Sequence, residues 1–336
     1  MTGTLFRDII RQSWQIMWRH KYLWLFGFFA ALMGNGGEMQ VLLNNIINVG
    51  ESPATLLSLR NLYGSGLLGV IFINFVDFLH RSPLEALLFL LVFIATGIVV
   101  IWLIVTSQGA LYDGINRIVT NKKADMAQGY RAGSHYFGRV LSLTILSAVC
   151  TYGVLFILSL PIIVILLIKS SQTGVLLYLL FGFLILVPLG LIIAMVAKYA
   201  VLYVVTYDQK LWQSINSGWR LLKRNLLISI ETSIVVFILG LVGAFALVIA
   251  LIFLSVPFIL LGFLTLVFNT SAGFMFIIIL GLVVLGITVG VYGAMFSAFR
   301  YSVWTLLFLR LIENKGESKI LRMVGQAAQY FGKKPA

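Results

Sequence analysis

Long, uninterrupted apolar runs constrain this 336-residue chain more than any other feature. One example is LEALLFLLVFIATGIVVIWLIV at 84–105. An apolar run of about 20 residues is long enough to cross a hydrocarbon core of about 30 Å as a helix. Only 10% of the residues are charged, and the runs lack the two-residue alternation of a transmembrane β-barrel. The sequence therefore predicts an all-α, polytopic transmembrane helical bundle.

Six segments have the composition and length of membrane spans, at 15–34, 84–107, 139–168, 174–204, 227–268 and 273–310. The first is predicted to be an uncleaved span, because no clear small-x-small cleavage site follows its apolar core. The run at 67–76 is short for a span and is expected on the outer surface or as a re-entrant segment. Residues 1–312 form one predicted membrane domain, and 313–336 form a basic, amphipathic cytoplasmic tail.

The positions of the basic residues predict the orientation. With six spans, 21 of the 24 basic residues fall on one side of the membrane. The other three, Arg60, Arg81 and Lys169, fall on the opposite side. The positive-inside rule then places both termini in the cytoplasm. A net charge of +13 would suggest nucleic acid for a soluble protein. On one membrane face it indicates anionic lipids as partners and no nucleic acid. Protein partners and oligomeric state are left open.

One pattern occurs three times, as SWQIMWR (13–19), GSHYFGR (133–139) and GWRLLKR (218–224). A small residue is followed six positions later by a basic residue, and an apolar run begins soon after. In the third copy the apolar residues follow helical spacing, as Leu211, Ile215, Trp219, Leu222 and Leu226. Asp208 is a plausible N-cap for that helix.

A second similarity, between LSLPII (158–163) and LSVPFI (254–259), also suggests duplication. The sequence predicts three repeat-like units at about 5–107, 124–204 and 209–310. Each would be an interfacial amphipathic helix followed by a helical hairpin. Chance similarity among apolar helices is the alternative explanation.

The basic and aromatic residues of the three predicted interfacial helices are candidate lipid-headgroup contacts. These are Arg7, Arg11, Trp14, Arg19, Arg131, Arg139, Trp219, Arg220, Lys223 and Arg224.

Three ionisable residues, Glu231, Lys198 and Arg300, fall inside predicted spans. Intramembrane charge is costly and by default suggests function, although the two long cations can also extend to the interface. The hypothesis is that Glu231 pairs with Lys198 or Arg300 as an intramembrane polar site. Such a pair could be a helix clamp or a substrate and ion site.

Catalytic motifs are missing from the sequence, which contains no HExxH, GxSxG, GxxxxGK or CxxC. The three histidines His20, His80 and His135 have no metal-ligand spacing. We therefore expect no catalytic, metal or cofactor site and no enzymatic activity. The expected function is lipid interaction or scaffolding through the basic interfacial helices. The alternative is a transporter, permease or lipid-translocating protein with a site around Glu231.

The segments VVTYDQKLWQSINSGWRLLKRN (204–225) and FRYSVWTLLFLRLIEN (299–314) resemble a group of uncharacterised bacterial polytopic membrane-protein families. These families are related to the membrane domain attached to some glycerophosphodiester phosphodiesterases. The resemblance implies six spans and a bacterial-type cytoplasmic (inner) membrane. It does not imply catalysis, because the phosphodiesterase domain of those relatives is soluble and has no counterpart in this sequence.

Overall fold

The regular secondary structure is helical throughout the part of the chain that the computed structural model describes, residues 5–32, 82–167, 172–268 and 271–313. The helices are α1 (Leu5–Arg19), α2 (Tyr22–Leu32), α3 (Pro83–Val119), α4 (Met126–Leu167), α5 (Gln172–Tyr207), α6 (Leu211–Arg224), α7 (Leu226–Val267) and α8 (Ser271–Ile312). The sequence also predicts an outer loop at 35–83, which lies outside the described residues up to 81. The short run at 67–76, Lys169 and the tail from 314 onward lie outside them as well.

Five of these helices are long and apolar enough to cross a membrane. The candidate spans are Pro83–Val119, Met126–Val154, Pro188–Tyr207, Leu226–Thr265 and Gly273–Ile312. Helix α2 is equally apolar but has 11 residues, fewer than a span needs. The prediction of a multi-pass helical membrane protein is thus confirmed. The sixth span stays a prediction, because the described part of the first segment is too short for one.

The N-terminal part of α3 shows why these helices need an apolar solvent. All eight residues from Leu87 to Ile94 are apolar, and each exposes between 42% and 68% of its surface. Eight consecutive helical residues cover the whole circumference of a helix. A soluble protein rarely exposes a contiguous apolar patch of that extent. This part of α3 therefore suits hydrocarbon on every side.

The predicted first segment, 15–34, covers parts of two helices. The segment 15–34 is divided, since α1 continues to Arg19 and α2 begins at Tyr22. The last turn of α1 closes with the N–H of His20 on the carbonyl of Ile16. The new helix starts with the N–H of Leu23 on the carbonyl of His20. The amphipathic and apolar parts are thus two helices joined by a short basic turn.

The boundary between amphipathic helix and span is different in the second and third copies. Helix α4 runs without interruption for 42 residues, so its amphipathic start is not a separate helix. Asn225 separates α6 from α7, and its N–H bonds the carbonyls of Leu221 and Leu222 at 3.1 and 3.0 Å. These bonds close α6 before α7 begins at Leu226.

The buried core lies where the C-terminal parts of α3, α5 and α8 meet. Helix α2 packs between α3 and α8, and α4 packs between α3 and α5. Helix α1 packs on α8, and α6 packs on α5. The largest fully buried side chains include Trp304, Tyr199 and Phe308. The amphipathic helices α1 and α6 therefore cover the same end of the bundle.

Close backbone approach through glycine holds this end together. A Cβ atom on Gly27 would collide with the carbonyl oxygen of Ala294, across the α2–α8 contact. A Cβ atom on Gly133 would collide with the carbonyl oxygen of Thr106, across the α3–α4 contact. Small residues let helix backbones approach in this way, and packing of this kind drives helix association in a membrane.

Candidate membrane-interface site

Helix α6 presents three different faces to its surroundings. The first is buried on α5 and consists of Ser214, Ser217, Gly218, Leu221 and Leu222. A Cβ atom on Gly218 would lie 3.0 Å from the backbone nitrogen of Ala200 and 3.1 Å from the carbonyl oxygen of Val196. The small side chains thus set the helix directly on the backbone of α5.

The second face of α6 is aromatic and apolar, and it stays exposed. Trp212 exposes 75% of its surface and Trp219 exposes 47%. The predicted apolar stripe therefore does not coincide with the face that packs on the protein. Leu222 is buried and Ile215 is half-buried, whereas Trp219 faces outward. Exposed tryptophan on a membrane protein is typical of the headgroup level.

The third face is basic, with Arg220, Lys223 and Arg224 all exposed. Helical spacing places this face next to the tryptophan face and away from α5. In an interfacial helix such a division turns the aromatic face toward the acyl chains and the cations toward headgroups.

Helix α1 has a similar division of faces. Ser13, Ile16 and Met17 are buried, on the side that packs on α8. Trp14 exposes 53% of its surface, and its ring centroid lies 6.0 Å from that of Trp18. The ring centroid of Trp18 lies 5.5 Å from that of Trp24 on α2. The predicted contacts Arg7, Arg11 and Arg19 are all exposed.

The first turns of α4 bury Gly129 and Gly133, while Arg131 is exposed. Arg139 forms an ion pair with Asp208, since its Nη1 lies 2.5 Å from Oδ1 of that residue. This ion pair joins α4 to the connection between α5 and α6. Arg139 therefore has a structural partner, and its predicted headgroup contact remains a prediction.

The prediction that Asp208 caps α6 is wrong. The N-cap position is Lys210, which makes no side-chain capping bond. Asp208 adopts a positive φ of 52°, a left-handed conformation that aspartate tolerates better than most residues. The chain turns there, and the carboxylate is directed to Arg139 instead of the helix N-terminus.

The three residues of the predicted intramembrane site lie in the same part of the bundle. Arg300 of α8 is buried, with 7% of its surface exposed. Lys198 of α5 is half-buried, and its Nζ lies 4.5 Å above the ring centroid of Trp304. Glu231 of α7 is half-buried. The predicted pairing of Glu231 with either cation stays a prediction.

Tyr199 connects the helices that carry these residues. Its hydroxyl lies 2.7 Å from Oγ of Ser229 on α7, two residues before Glu231. Its ring centroid lies 5.9 Å from that of Trp304 on α8, one helical turn beyond Arg300. The Tyr199–Ser229 bond thus joins α5 to α7, and the Tyr199–Trp304 ring contact joins α5 to α8.

A cleft of about 460 Å³ lies between the C-terminal end of α1 and the turn after α3. Its polar lining includes Gln12, Gln15, Arg19, His20, Asn121 and Lys122. Partial burial, and secondly the charge of Arg19, lower the pKa of His20 from its ordinary value. Apart from Arg19, sequence reasoning missed this group, since no local motif links residues 12–20 with 121–122.

Metal binding finds no support in the described ranges, which contain no group of three or more His, Cys, Asp or Glu that could hold an ion.

Comparisons with protein-family models, curated proteins and solved structures found no match. The similarity to membrane domains of glycerophosphodiester phosphodiesterases is therefore untested and stays a prediction.

Proposed function

We propose that the chain is a non-enzymatic, multi-pass inner-membrane protein that binds anionic lipids through basic interfacial helices on its cytoplasmic side. The observation that carries this proposal is the three-faced surface of α6. Its small residues pack on α5, while Trp212 and Trp219 are exposed beside the basic face. A helix anchored to the bundle in this way holds its cations at a fixed height for headgroups.

The distribution of charge around the bundle supports the cytoplasmic placement. Helices α3, α5 and α8 end at the side where α1 and α6 pack, and this side carries Arg117, Lys122, Lys123, Arg220, Lys223, Arg224 and Arg310. The positive-inside rule assigns such a side to the cytoplasm.

Six crossings are part of the proposal. Leu23 of α2 lies against Gly114 near the C-terminal end of α3, and Phe28 lies against Gly290 in α8. Helix α2 thus runs from the proposed cytoplasmic side into the bundle, whereas α3 begins at the opposite end with Pro83. The predicted first span at 15–34 would account for these two positions.

The repeated units also gain support from packing. The aligned small residues Ser13, Gly133 and Gly218 are all buried. Gly133 contacts the backbone of α3, and Gly218 contacts the backbone of α5, in each case the long helix before it. Helix α1 packs on α8, the last long helix. We infer that the same kind of contact, a small residue packed against a long helix, holds each of the three amphipathic segments on the bundle.

Lipid selectivity tests the proposed function. The protein is reconstituted in phosphatidylcholine with spin-labelled phosphatidylglycerol or phosphatidylcholine, and electron paramagnetic resonance measures the motionally restricted fraction of each. Replacing Arg220, Lys223 and Arg224 with Gln should lower the preference for phosphatidylglycerol roughly twofold or more, since each cation near an anionic surface contributes about 1 kcal/mol.

The matched control is Arg220→Lys with Arg224→Lys, which keeps the charge and should keep the preference. Equal selectivity in the wild type and the triple Gln variant would reject the lipid-binding role of α6.

A second candidate function, transport of a lipid or amphipathic solute, is favoured by one observation. Arg300 is buried within a predicted span, next to helices that carry Lys198 and Glu231. Ionisable residues at this depth often mark transport pathways. A liposome flux and scrambling assay tests this role with Glu231→Gln, and Glu313→Gln is the exposed control. Wild-type flux at the background level would reject the transport function.

A further inference from the structure

We propose that the cleft between α1 and the α3–α4 turn is a phosphate-binding site for a lipid headgroup or a free phosphate anion. The cleft has two cationic side chains, Arg19 and Lys122, and its lining includes no carboxylate. Three carboxamide side chains, Gln12, Gln15 and Asn121, add N–H donors. Charge-assisted bonds from such groups are the usual means of holding phosphate.

Both walls of the cleft are held by backbone hydrogen bonds. On one wall the N–H of Lys122 bonds the carbonyl of Arg117 at 2.8 Å. On that wall Asn121 also has a positive φ of 55°, so the chain turns sharply there. On the other wall the N–H of His20 bonds the carbonyl of Ile16 at 3.0 Å. The backbone that carries Arg19 and Lys122 is therefore held in place, which lowers the backbone part of the ordering cost of binding an anion.

Two carboxylates near this end of α3 stand outside the lining: Asp113, within α3, and Asp125, directly after the lining residue Ala124. Nε of Arg117 lies 2.6 Å from Oδ2 of Asp113, so that carboxylate is paired. The lining itself contains the positive charges of Arg19 and Lys122. The cleft volume of about 460 Å³ falls within the range of small-molecule sites and exceeds a lone phosphate, so it leaves room for the attached glycerol or sugar.

Neighbouring aromatic residues place the cleft at headgroup level. Arg19 directly follows Trp18, which contacts Trp14 and Trp24. Tryptophan clusters collect at the membrane–water interface. The inference rests on the proposed function in one respect only, that this end of the bundle faces the cytoplasmic leaflet.

Adjacent lysines provide a matched pair for the test, because Lys122 lines the cleft and Lys123 does not. Purified full-length wild type, Arg19→Gln/Lys122→Gln and Lys123→Gln are compared after thermal unfolding confirms folding. In the first arm, equilibrium dialysis in phosphatidylcholine nanodiscs measures radiolabelled inorganic phosphate. In the second, native mass spectrometry counts the phosphatidylglycerol molecules retained from mixed-lipid detergent micelles.

A free-anion site predicts phosphate binding that the double variant weakens about tenfold or more, as expected for loss of charge-assisted bonds. A headgroup site predicts no dialysis signal but one fewer retained phosphatidylglycerol in the double variant. In either case Lys123→Gln should match the wild type. Binding in neither arm, or equal loss in the Lys123 variant, would overturn the site.

The α6 triple Gln variant separates this proposal from the proposed function. Unchanged lipid selectivity in that variant would reject the α6 role, and it would leave the binding result for the cleft unaffected.

Discussion

Gly109 of α3 faces Gly133 of α4 so closely that a Cβ atom on Gly109 would lie 3.1 Å from the Cα of Gly133. On its own side, Gly133 also meets the carbonyl of Thr106. This double-glycine contact joins the first long helix to the second at the end where the core lies. Neither residue has room for a side chain unless the helices separate.

The first prediction follows from that contact. Gly133→Ala should destabilise the protein by about 1–3 kcal/mol, as overpacking does in a close-packed interface. Gly138→Ala is the control in the same helix, because nothing lies within 4 Å of its added Cβ. The control should be neutral or stabilising by up to about 1 kcal/mol, since alanine is the better helix former. Thermal unfolding in detergent measures both, and equal effects would contradict the close approach.

A second prediction concerns the buried Tyr199–Ser229 bond. Tyr199→Phe and Ser229→Ala should each destabilise, and the double variant should lose less than their sum. The coupling energy should be about 0.5–1.5 kcal/mol, the usual net worth of one hydrogen bond. Tyr152→Phe on the exposed face of α4 is the control. Additive effects in the unfolding free energy would show that the bond contributes nothing.

The turn at Asp208 yields a third prediction. Its φ of 52° favours Gly, Asn and Asp over alanine, and its carboxylate pairs with Arg139. Both side chains are substantially exposed, so solvent screens the pair and limits its worth to about 1 kcal/mol or less. Asp208→Ala should be the most destabilising, by about 1–2 kcal/mol, with Asp208→Asn and Asp208→Gly milder. Equal melting temperatures for the alanine and asparagine variants would contradict the strain.

The fourth prediction is a pH dependence at His20. Burial and Arg19 lower the folded-state pKa below the ordinary value of 6.5, so the unfolded chain binds the proton more readily. Stability from this residue is therefore present above about pH 6.5 and is lost as the pH falls from there toward the lowered pKa. His20→Gln should flatten that part of the melting-temperature profile.

A direct measurement follows the imidazole carbon resonances in histidine-labelled protein, with His20→Gln identifying the signal. The resonance should titrate below 6.5, and an anion bound in the cleft should raise the pKa by favouring the imidazolium. Identical pH profiles for the wild type and His20→Gln would contradict the assignment.

Much of the fold was predictable from sequence because the membrane imposes a strong pattern. Runs such as 84–105 must be helices, since every backbone group has to be satisfied internally in lipid. Helix boundaries were less predictable. The same small-to-basic pattern is followed by a break at Asn225 but by a continuous helix after Arg139. That difference depends on tertiary packing, which a local pattern does not contain.

The candidate interface site was predictable in part. The exposed cations of α6 follow from amphipathic spacing, but the predicted apolar stripe is divided between two faces, with Leu222 buried and Trp219 exposed. The face that packs on α5 includes Ser214, Ser217 and Gly218 beside Leu221 and Leu222. Small residues four apart, such as Ser214 with Gly218, were the sequence signal for it. The cleft joins residues about 100 positions apart, and only the packing of α1 beside the α3 turn creates it.

The central claim is that α6 packs on α5 through one face and turns its aromatic face to lipid and its basic face to the headgroups. Spin-label accessibility tests this claim most directly. In a Cys150→Ser background, single labels are placed at Ser217, Trp219 and Lys223 in lipid bilayers. We predict that the label at 219 is reached by oxygen from the lipid phase, the label at 223 by a water-soluble nickel complex, and the label at 217 by neither. Labels at 219 and 223 that are equally accessible to the nickel complex and protected from oxygen would contradict the account, because α6 would then lie in water, away from the membrane.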